Sequence, residues 1–339
     1  MAPPASSAAP SAEGPVVHAR REGAAGVITL DRPRALNALT LEMVAALEAA
    51  LEQQVRDPAV RVILMRSASP RAFCAGGDMR RIRELCVAGD FELAGHFFAA
   101  EFALNRRLAS LDKPIVALVD GICMGGGLGL SVHGRFRVAT ELAVFAMPET
   151  ALGYFPDVGG SHFLPRLPSA LGRWLGLTGA RVDGAEAVSL GIATHLVPQA
   201  RLDALAAALV ALEPTETVAA VLDRHAEPAR APRLARLAAD CAATFGVAAD
   251  RDALFAALRA RGGEFAREAL AALELASPHS LDVTLGLFAA GQWSSLAECL
   301  QRELEAARAI LRHPDFVEGV RAVLVDKTRD PRWQAAAAG

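Results

Sequence analysis

The stretch Phe145 to Arg166, FAMPETALGYFPDVGGSHFLPR, sets two carboxylates, Glu149 and Asp157, among apolar residues, glycines and prolines. A carboxylate in such surroundings is paired, hydrogen-bonded or pushed toward protonation, the conditions under which carboxylates do acid or base chemistry. Were the segment one continuous helix, the two acids would stand ~12 Å apart along its axis, too far to act on one bond. Gly153 and Pro156 argue against that helix, because proline removes an amide donor and biases the preceding residue toward extended geometry. The chain must therefore turn between the two acids, which can bring both to one pocket. The alternative is that Glu149 merely follows Pro148 at a helix start while Asp157 caps a short helix beginning near Val158. The stretch alone leaves both readings standing.

With 339 residues, 53% of them hydrophobic, the chain can hold two domains or one large core with an appendage. A net charge of -3, from 35 basic and 38 acidic residues, gives no electrostatic footprint for nucleic acid. The five cysteines form no C-x-x-C pair, which argues against a disulfide framework or a structural zinc site and for a reducing compartment. Lys113 and Lys327 are the only lysines in an alanine- and arginine-rich chain, a bias expected of a GC-rich genome, so the expected location is a bacterial cytoplasm. Residues 1–15 have neither a basic residue nor a sustained apolar core, and are expected to form a disordered tail and not a targeting segment. No uncharged apolar run reaches the length of a membrane span, so a soluble protein is expected.

Taken in order, Val16 to His18 and Gly26 to Leu30 flank a Glu22-Gly23 turn and suggest a hairpin. Thr40 is placed to cap a helix with apolar positions Met43, Val44, Leu47 and Leu51, ended by Asp57-Pro58. Val60 to Met65 reads as a buried strand leading to Gly76-Gly77, with Asp78 opening a helix. A long helix over 91–108 and a strand Ile115 to Val119 precede a second glycine cluster, Gly125, Gly126, Gly127 and Gly129. A glycine turn before a helix lets a ligand approach amides at the positive end of the helix dipole. Neither cluster is a familiar nucleotide or nucleophile motif. Leu130 stands where G-x-G-x-x-G needs its last glycine, no G-K-[ST] follows, and His133 spoils G-x-S-x-G. Short strands at Phe136 to Val138 and Ala143 to Ala146 follow; from about Leu202 the pattern is almost wholly helical. The expected division is a tail over 1–15, a core over 16–201 that carries the site, and a helical region over 202–339.

The segments AFCAGGDMR, GICMGGGLGLSVHGRFRVATE, AMPETALGYFPDVGG, LGLTGARVDG, GIATHLV and FVEGVRAVLVDK together resemble the crotonase (enoyl-CoA hydratase/isomerase) superfamily, from Val16 to Trp333. The P-E-T-A-x-G-x-F-P-D-V-G-G run and the closing E-G-V-R-A-V-L-x-D-K resemble its 3-hydroxyacyl-CoA hydrolase branch. The fold this implies is α/β, a crotonase-like spiral of ββα units with a helical C-terminal region, often assembled as a homo-oligomer (trimer or hexamer). The resemblance implies an oxyanion hole from the backbone N–H groups of Gly77 and Gly126, each donor contributing roughly 3 kcal/mol where charge develops on a thioester oxygen. It also implies Glu149 as nucleophile or general base, with Asp157 orienting the 3-hydroxyl or water or protonating the departing thiolate. Hydratases of the family carry a second Glu where this chain has Gly129, so hydration is not expected.

CoA is implied to lie across Arg32 to Ala38 and Ala72 to Arg80. The implied binding residues are Arg34, Leu36, Ala38, Ala75, Gly76, Asp78, Met79, Arg80, Gly125 and Tyr154. Tyr154 and Ser161-His162 depart from the family pattern beside the acyl pocket and are expected to repack its wall, while His133 is expected to be structural. The implied activity is hydrolysis of a short-chain 3-hydroxyacyl-CoA, the acyl group being 3-hydroxyisobutyryl, with no cofactor beyond the CoA of the substrate and with no nucleic-acid or membrane partner. The alternatives are an enoyl-CoA isomerase using Glu149 alone, which leaves Asp157 unexplained, and a silent acyl-CoA-binding member.

Overall fold

A computed structural model describes residues 14–334. The tail expected over 1–15 falls on residues 1–13, outside the described residues, and on Gly14 and Pro15, which have no regular structure.

The described residues form ten strands, laid down in pairs. They are β1 (Val17–Glu22), β2 (Ala25–Leu30), β3 (Val62–Ser67), β4 (Ala72–Cys74), β5 (Ile115–Val119), β6 (Ile122–Met124), β7 (Phe136–Ala139), β8 (Val144–Ala146), β9 (Val182–Asp183) and β10 (His195–Leu196). One sheet has the order β1-β2-β3-β5-β7-β10 and a second the order β4-β6-β8-β9. The first strand of each pair β3β4, β5β6 and β7β8 therefore joins one sheet and its successor the other. Helices complete the turns: α1 (Leu41–Arg56), α2 (Met79–Val87), α3 (Phe91–Ser110) and α4 (Gly126–Ser131). This is the expected spiral of ββα units.

Local chemistry sets these boundaries. β1 and β2 form the expected antiparallel hairpin, with Glu22 opposite Ala25. Thr40 caps α1, its hydroxyl accepting from the Met43 amide at 3.2 Å, and Asp78 caps α2 by accepting from the Arg81 amide. β3 pairs in parallel with β2 and β5, and its continuous apolar run is buried on both faces. Ile63 and Met65 face the main core, whereas Val62 and Leu64 face a second cluster with Leu205, Leu209, Val221 and Leu222.

After β8 come a 3₁₀ turn Glu149–Leu152, α5 (Gly160–Phe163), α6 (Leu171–Thr178) and α7 (Gly184–Leu190). The helical tract consists of α8 (Leu202–Val210), α9 (Val218–His225), α10 (Pro232–Ala243), α11 (Arg251–Arg261), α12 (Gly263–Leu275), α13 (Pro278–Gly291), α14 (Leu296–Ile310) and α15 (Pro314–Val320). Helices α8 and α9 cover the outer face of the larger sheet, and α14 packs along α3. Helix α15 and the π-helical turn Arg321–Val325 pack on α2, next to the 3₁₀ turn. Among the described residues, no helix is long and apolar enough to cross a membrane.

Candidate active site

The site lies at the carboxyl ends of three adjacent parallel strands. β4 pairs with β6 and β6 with β8, with Cys74 opposite Cys123 and Met124 opposite Ala146. Gly77 and Gly126 each lie three residues beyond the paired Cys74 and Cys123, and Glu149 lies four beyond Phe145, which pairs with Cys123. Similar offsets from paired strands bring two bare amides and a carboxylate to one place. Among the described residues, no main-chain carbonyl accepts the N–H of Gly77 or Gly126. A Cβ built on Gly126 would stand 3.4 Å from the Gly77 nitrogen, so the two amides are neighbours. Gly125 supplies the bend into α4 at φ +48, a conformation in which a side chain would also meet Glu149 Oε1 at 2.7 Å.

A cavity of about 310 Å³ opens there, lined by Gly77, Gly126, Glu149 and Asp157 among others. The turn predicted between the two acids is present. Gly153 ends the 3₁₀ turn in the left-handed region at φ 71, and Asp157 sits in the loop before α5. Glu149 does follow Pro148 at a helical start, as the alternative reading had it, but Asp157 is not a side-chain cap. Gly159 occupies the cap position of α5, and Asp157 contributes only its carbonyl, which accepts from Gly160 N–H at 2.7 Å.

Sequence reasoning missed a third carboxyl on the cavity wall, Glu101 of α3. Glu101, Glu149 and Asp157 are 2%, 4% and 3% exposed, so their titration is dominated by desolvation. Burial pushes Glu149 up to about 8, with the Glu101 charge adding to it. It raises Glu101 as well. Asp157 is raised by burial and by the charges of Glu101, Glu149 and Glu303, with Tyr154 opposing. Glu101 Oε1 and Glu149 Oε2 are buried without a hydrogen-bond partner, an arrangement that leaves both for a ligand or water.

A fourth acid, Glu303 on α14, is spent on structure. It accepts from the Gly159 and Ser161 amides at 2.7 and 2.9 Å and from the Ser161 hydroxyl at 2.6 Å, fixing the loop that carries Asp157. Ser161 is therefore an anchor and not a nucleophile. Between Asp157 and Gly159, Val158 is held at φ 51, a strained conformation for a β-branched residue. His133 steadies it: burial drops its pKa to about 4, so the ring is neutral at pH 7 and Nε2–H donates to the Val158 carbonyl at 2.7 Å.

The expected CoA-binding residues separate into groups. Leu36, Ala75, Gly76, Met79 and Gly125 line the same cavity as Gly77, Gly126, Glu149 and Asp157. Asp78 and Arg80 border an adjoining groove with Arg32 and Phe97, in which Asp78 is ion-paired with Arg32 at 2.9 Å. Arg34 is exposed and lines a separate depression beside His18 and Asp31. Ala38 does not line the cavity; its carbonyl accepts from Arg32 Nη1 at 3.0 Å. The loop that holds these residues is shaped by Leu36 and Asn37, both in the left-handed region. Asn37 pins it, its amide donating to the Ser67 hydroxyl and the Phe73 carbonyl.

Tyr154 requires correction as a substrate-binding residue. It is fully buried in a stack, 5.1 Å from the Phe98 ring and 4.5 Å from that of Phe155, behind the wall. Its hydroxyl is buried without a hydrogen-bond partner among the described residues.

The strand ends, amide pair and buried acids agree with a family match: residues 25–339 match the enoyl-CoA hydratase/isomerase model, and the chain belongs to that family. Within it, the chain is 44% identical to the mitochondrial 3-hydroxyisobutyryl-CoA hydrolase of Xenopus tropicalis over 92% of this chain and 83% of that one. It is 43% identical to the human enzyme of the same name, over 93% and 83%. Among solved structures, an enoyl-CoA hydratase from Rhodobacter sphaeroides superposes with TM-score 0.87 at 40% identity, covering 94% of this chain and 92% of that one. A carnitinyl-CoA dehydratase from Mycobacterium thermoresistibile superposes with TM-score 0.88 at 37% identity, over 94% and 92%. The expectation of a bacterial cytoplasmic protein is overturned, because these hydrolase relatives are mitochondrial enzymes of animals. Arginine and alanine content follows genomic base composition and carries no address.

Proposed function

We propose that this chain hydrolyses 3-hydroxyisobutyryl-CoA to 3-hydroxyisobutyrate and CoA, a thioester hydrolysis in valine breakdown. The observation that carries the reading is a single cavity in which Glu149 and Asp157 face the neighbouring amides of Gly77 and Gly126. The hydrolase relatives, similar over nearly the whole chain, support it.

The thioester oxygen takes the two N–H groups, which stabilise the negative charge that develops on attack. Glu149, as carboxylate, either adds to the carbonyl carbon itself or removes a proton from an attacking water. The tetrahedral intermediate collapses with cleavage of the carbon–sulfur bond, and the thiolate leaves with a proton supplied by Asp157. On the covalent route, water then opens the acyl anhydride and restores Glu149. Water and the chain's own carboxyls balance both routes.

Hydration, the activity in the name of one structural neighbour, fits this site poorly. A Cβ on Gly129 would lie 2.8 Å from Val158 Cβ and 2.9 Å from Asn105 Nδ2, so the position of the second hydratase carboxylate has no room for one.

Thiol release from 3-hydroxyisobutyryl-CoA by the wild type, Glu149→Gln and Asp157→Asn tests the reading. The expected outcome is release by the wild type and a loss of about 10²–10⁴-fold in each variant with the fold intact. Rapid release by Glu149→Gln would remove that residue from the chemistry, and no release by the wild type would overturn the hydrolase.

A further inference from the structure

A second cavity, of about 300 Å³, shares no lining residue with the one that holds the acids. It sits at the carboxyl ends of β3 and β5, where the chain leaves the larger sheet for the smaller one, and the first turn of α8 closes its far side. The crevice outside the carboxyl ends of parallel strands is where α/β sheets take their ligands. In the smaller sheet that place is the candidate active site, and the hydrolysis makes no use of its counterpart in the larger sheet.

Three charged side chains line this cavity: Arg66 from β3, Asp120 just after β5 and Asp203 on α8. Arg66 and Asp203 make no hydrogen bond or ion pair among the described residues, and Asp120 is held in place by the Thr140 hydroxyl, which donates to it at 2.6 Å. Leu118, Leu142 and Leu202 add an apolar side, with Leu142 left 55% exposed. A cation and two carboxylates thus border one space without closing on each other. Ligands of a single charge suit it poorly. An anion drawn by Arg66 would meet the aspartates, and a cation drawn by the aspartates would meet the guanidinium. A molecule that carries both charges a few bonds apart satisfies all three groups, its carboxylate on the planar fork of Arg66 and its ammonium between the aspartates. An aliphatic group on the same molecule would cover the leucines. Those are the parts of an α-amino acid.

We propose that this cavity binds a short aliphatic α-amino acid, and that the bound molecule is an effector of CoA binding. The connection runs through Ser67, which lines the cavity next to Arg66. Its hydroxyl accepts from the Asn37 side-chain amide at 2.7 Å and donates to the Ala72 carbonyl at 2.6 Å. One side chain therefore touches the second cavity, the loop across which CoA is implied to lie, and the start of the strand that leads to Gly77. A ligand that steadies Ser67 steadies that loop, so the coupling is positive. The effector role rests on the acyl-CoA reading, and the amino-acid site does not.

Isothermal titration of the full chain with leucine tests both parts. Leucine should bind the wild type, and its affinity should fall about tenfold or more in Arg66→Gln and in Asp203→Asn. Neither residue has a partner to strand, so both variants should fold, which equal urea midpoints would verify. 4-Methylpentanoate, without the ammonium, and 3-methylbutylamine, without the carboxylate, should each bind about tenfold or more weaker than leucine. Saturating CoA should tighten leucine about fivefold or more, and leucine should tighten CoA by the same factor, because coupling is reciprocal. No binding of leucine, binding unchanged in both variants, or an analogue that binds as well as leucine overturns the site. Displacement of leucine by CoA overturns it too, by placing the amino acid in the catalytic cavity. Leucine bound with no change in CoA affinity overturns the effector role. A protein that takes leucine but no CoA sinks the acyl-CoA reading and the effector role with it, while the amino-acid site stands.

Discussion

At the scale of single residues, the three cavity acids share one electrostatic problem. Each is desolvated, the Glu101 charge raises both Glu149 and Asp157, and the Glu149 charge raises Asp157, so they cannot all ionise at once near neutral pH. Glu149 must be ionised to attack or to act as base, and burial lifts it to about 8. The kcat/KM of the free enzyme should therefore rise with pH through the range around 8; a profile flat from 6 to about 9 would contradict the assignment. Stability should run the other way. A carboxyl with a folded pKa above its unfolded value keeps its proton longer when folded, so its contribution is full below 4.5 and is lost as pH rises through about 8. Glu149→Gln should flatten that decline in denaturant unfolding followed against pH. Glu149 and Asp157 were legible in the sequence because they interrupt an apolar, turn-rich stretch. Glu101 was not, because one Glu in an amphipathic helix reads as solvated. The overlooked signal was its spacing from Phe97, Phe98, Leu104 and Leu108, which sets it on the buried face of α3.

At the scale of elements, the loop from Asp157 to Ser161 is held by a different part of the chain. Glu303 on α14 takes three hydrogen bonds from it, and Val158 is kept at positive φ between them. Glu303→Leu should strand those donors in the interior and cost about 3 kcal/mol or more, seen as a lower urea midpoint. It should also lower kcat, since Asp157 would lose its placement. Gly129→Glu should destabilise by about 1–3 kcal/mol or more, because the side chain meets Val158 and Asn105, and no hydration of an enoyl-CoA should appear. Capped helices and continuous strands were readable from local pattern: Thr40, Asp78 and Ile115 to Val119 stand where the sequence put them. The partner of the Asp157 loop was not, because Glu303 lies 142 residues or more along the chain, and no local pattern records a tertiary hydrogen bond.

At the scale of the molecule, the helical tract closes the active site. Val323 and Leu324 line the cavity, and α15 meets the turn that carries Glu149 backbone to backbone. A Cβ on Gly153 would lie 2.2 Å from the Asp315 carbonyl oxygen, and one on Gly319 2.4 Å from the Leu152 carbonyl carbon. A chain ended after His313 should lose thiol release along with part of its thermal stability. Gly153→Ala should show a milder form of the same defect, measured as a fall in Tm and in kcat/KM. A strand-bearing first part and a helical remainder were both evident from the sequence, but their meeting over one cavity was not, since periodicity reports a buried face without naming its cover. The amides of Gly77 and Gly126 answer to a different authority. Because Cys74 and Cys123 face each other across a parallel ladder, the separation of the amides three residues later is inherited from the spacing of hydrogen-bonded strands. Such a ruler is indifferent to side chains. Acids can be gained, lost or moved around it over evolutionary time while the spacing of the two amides stays constant, a freedom consistent with hydratase, dehydratase and hydrolase names among proteins so similar to this one.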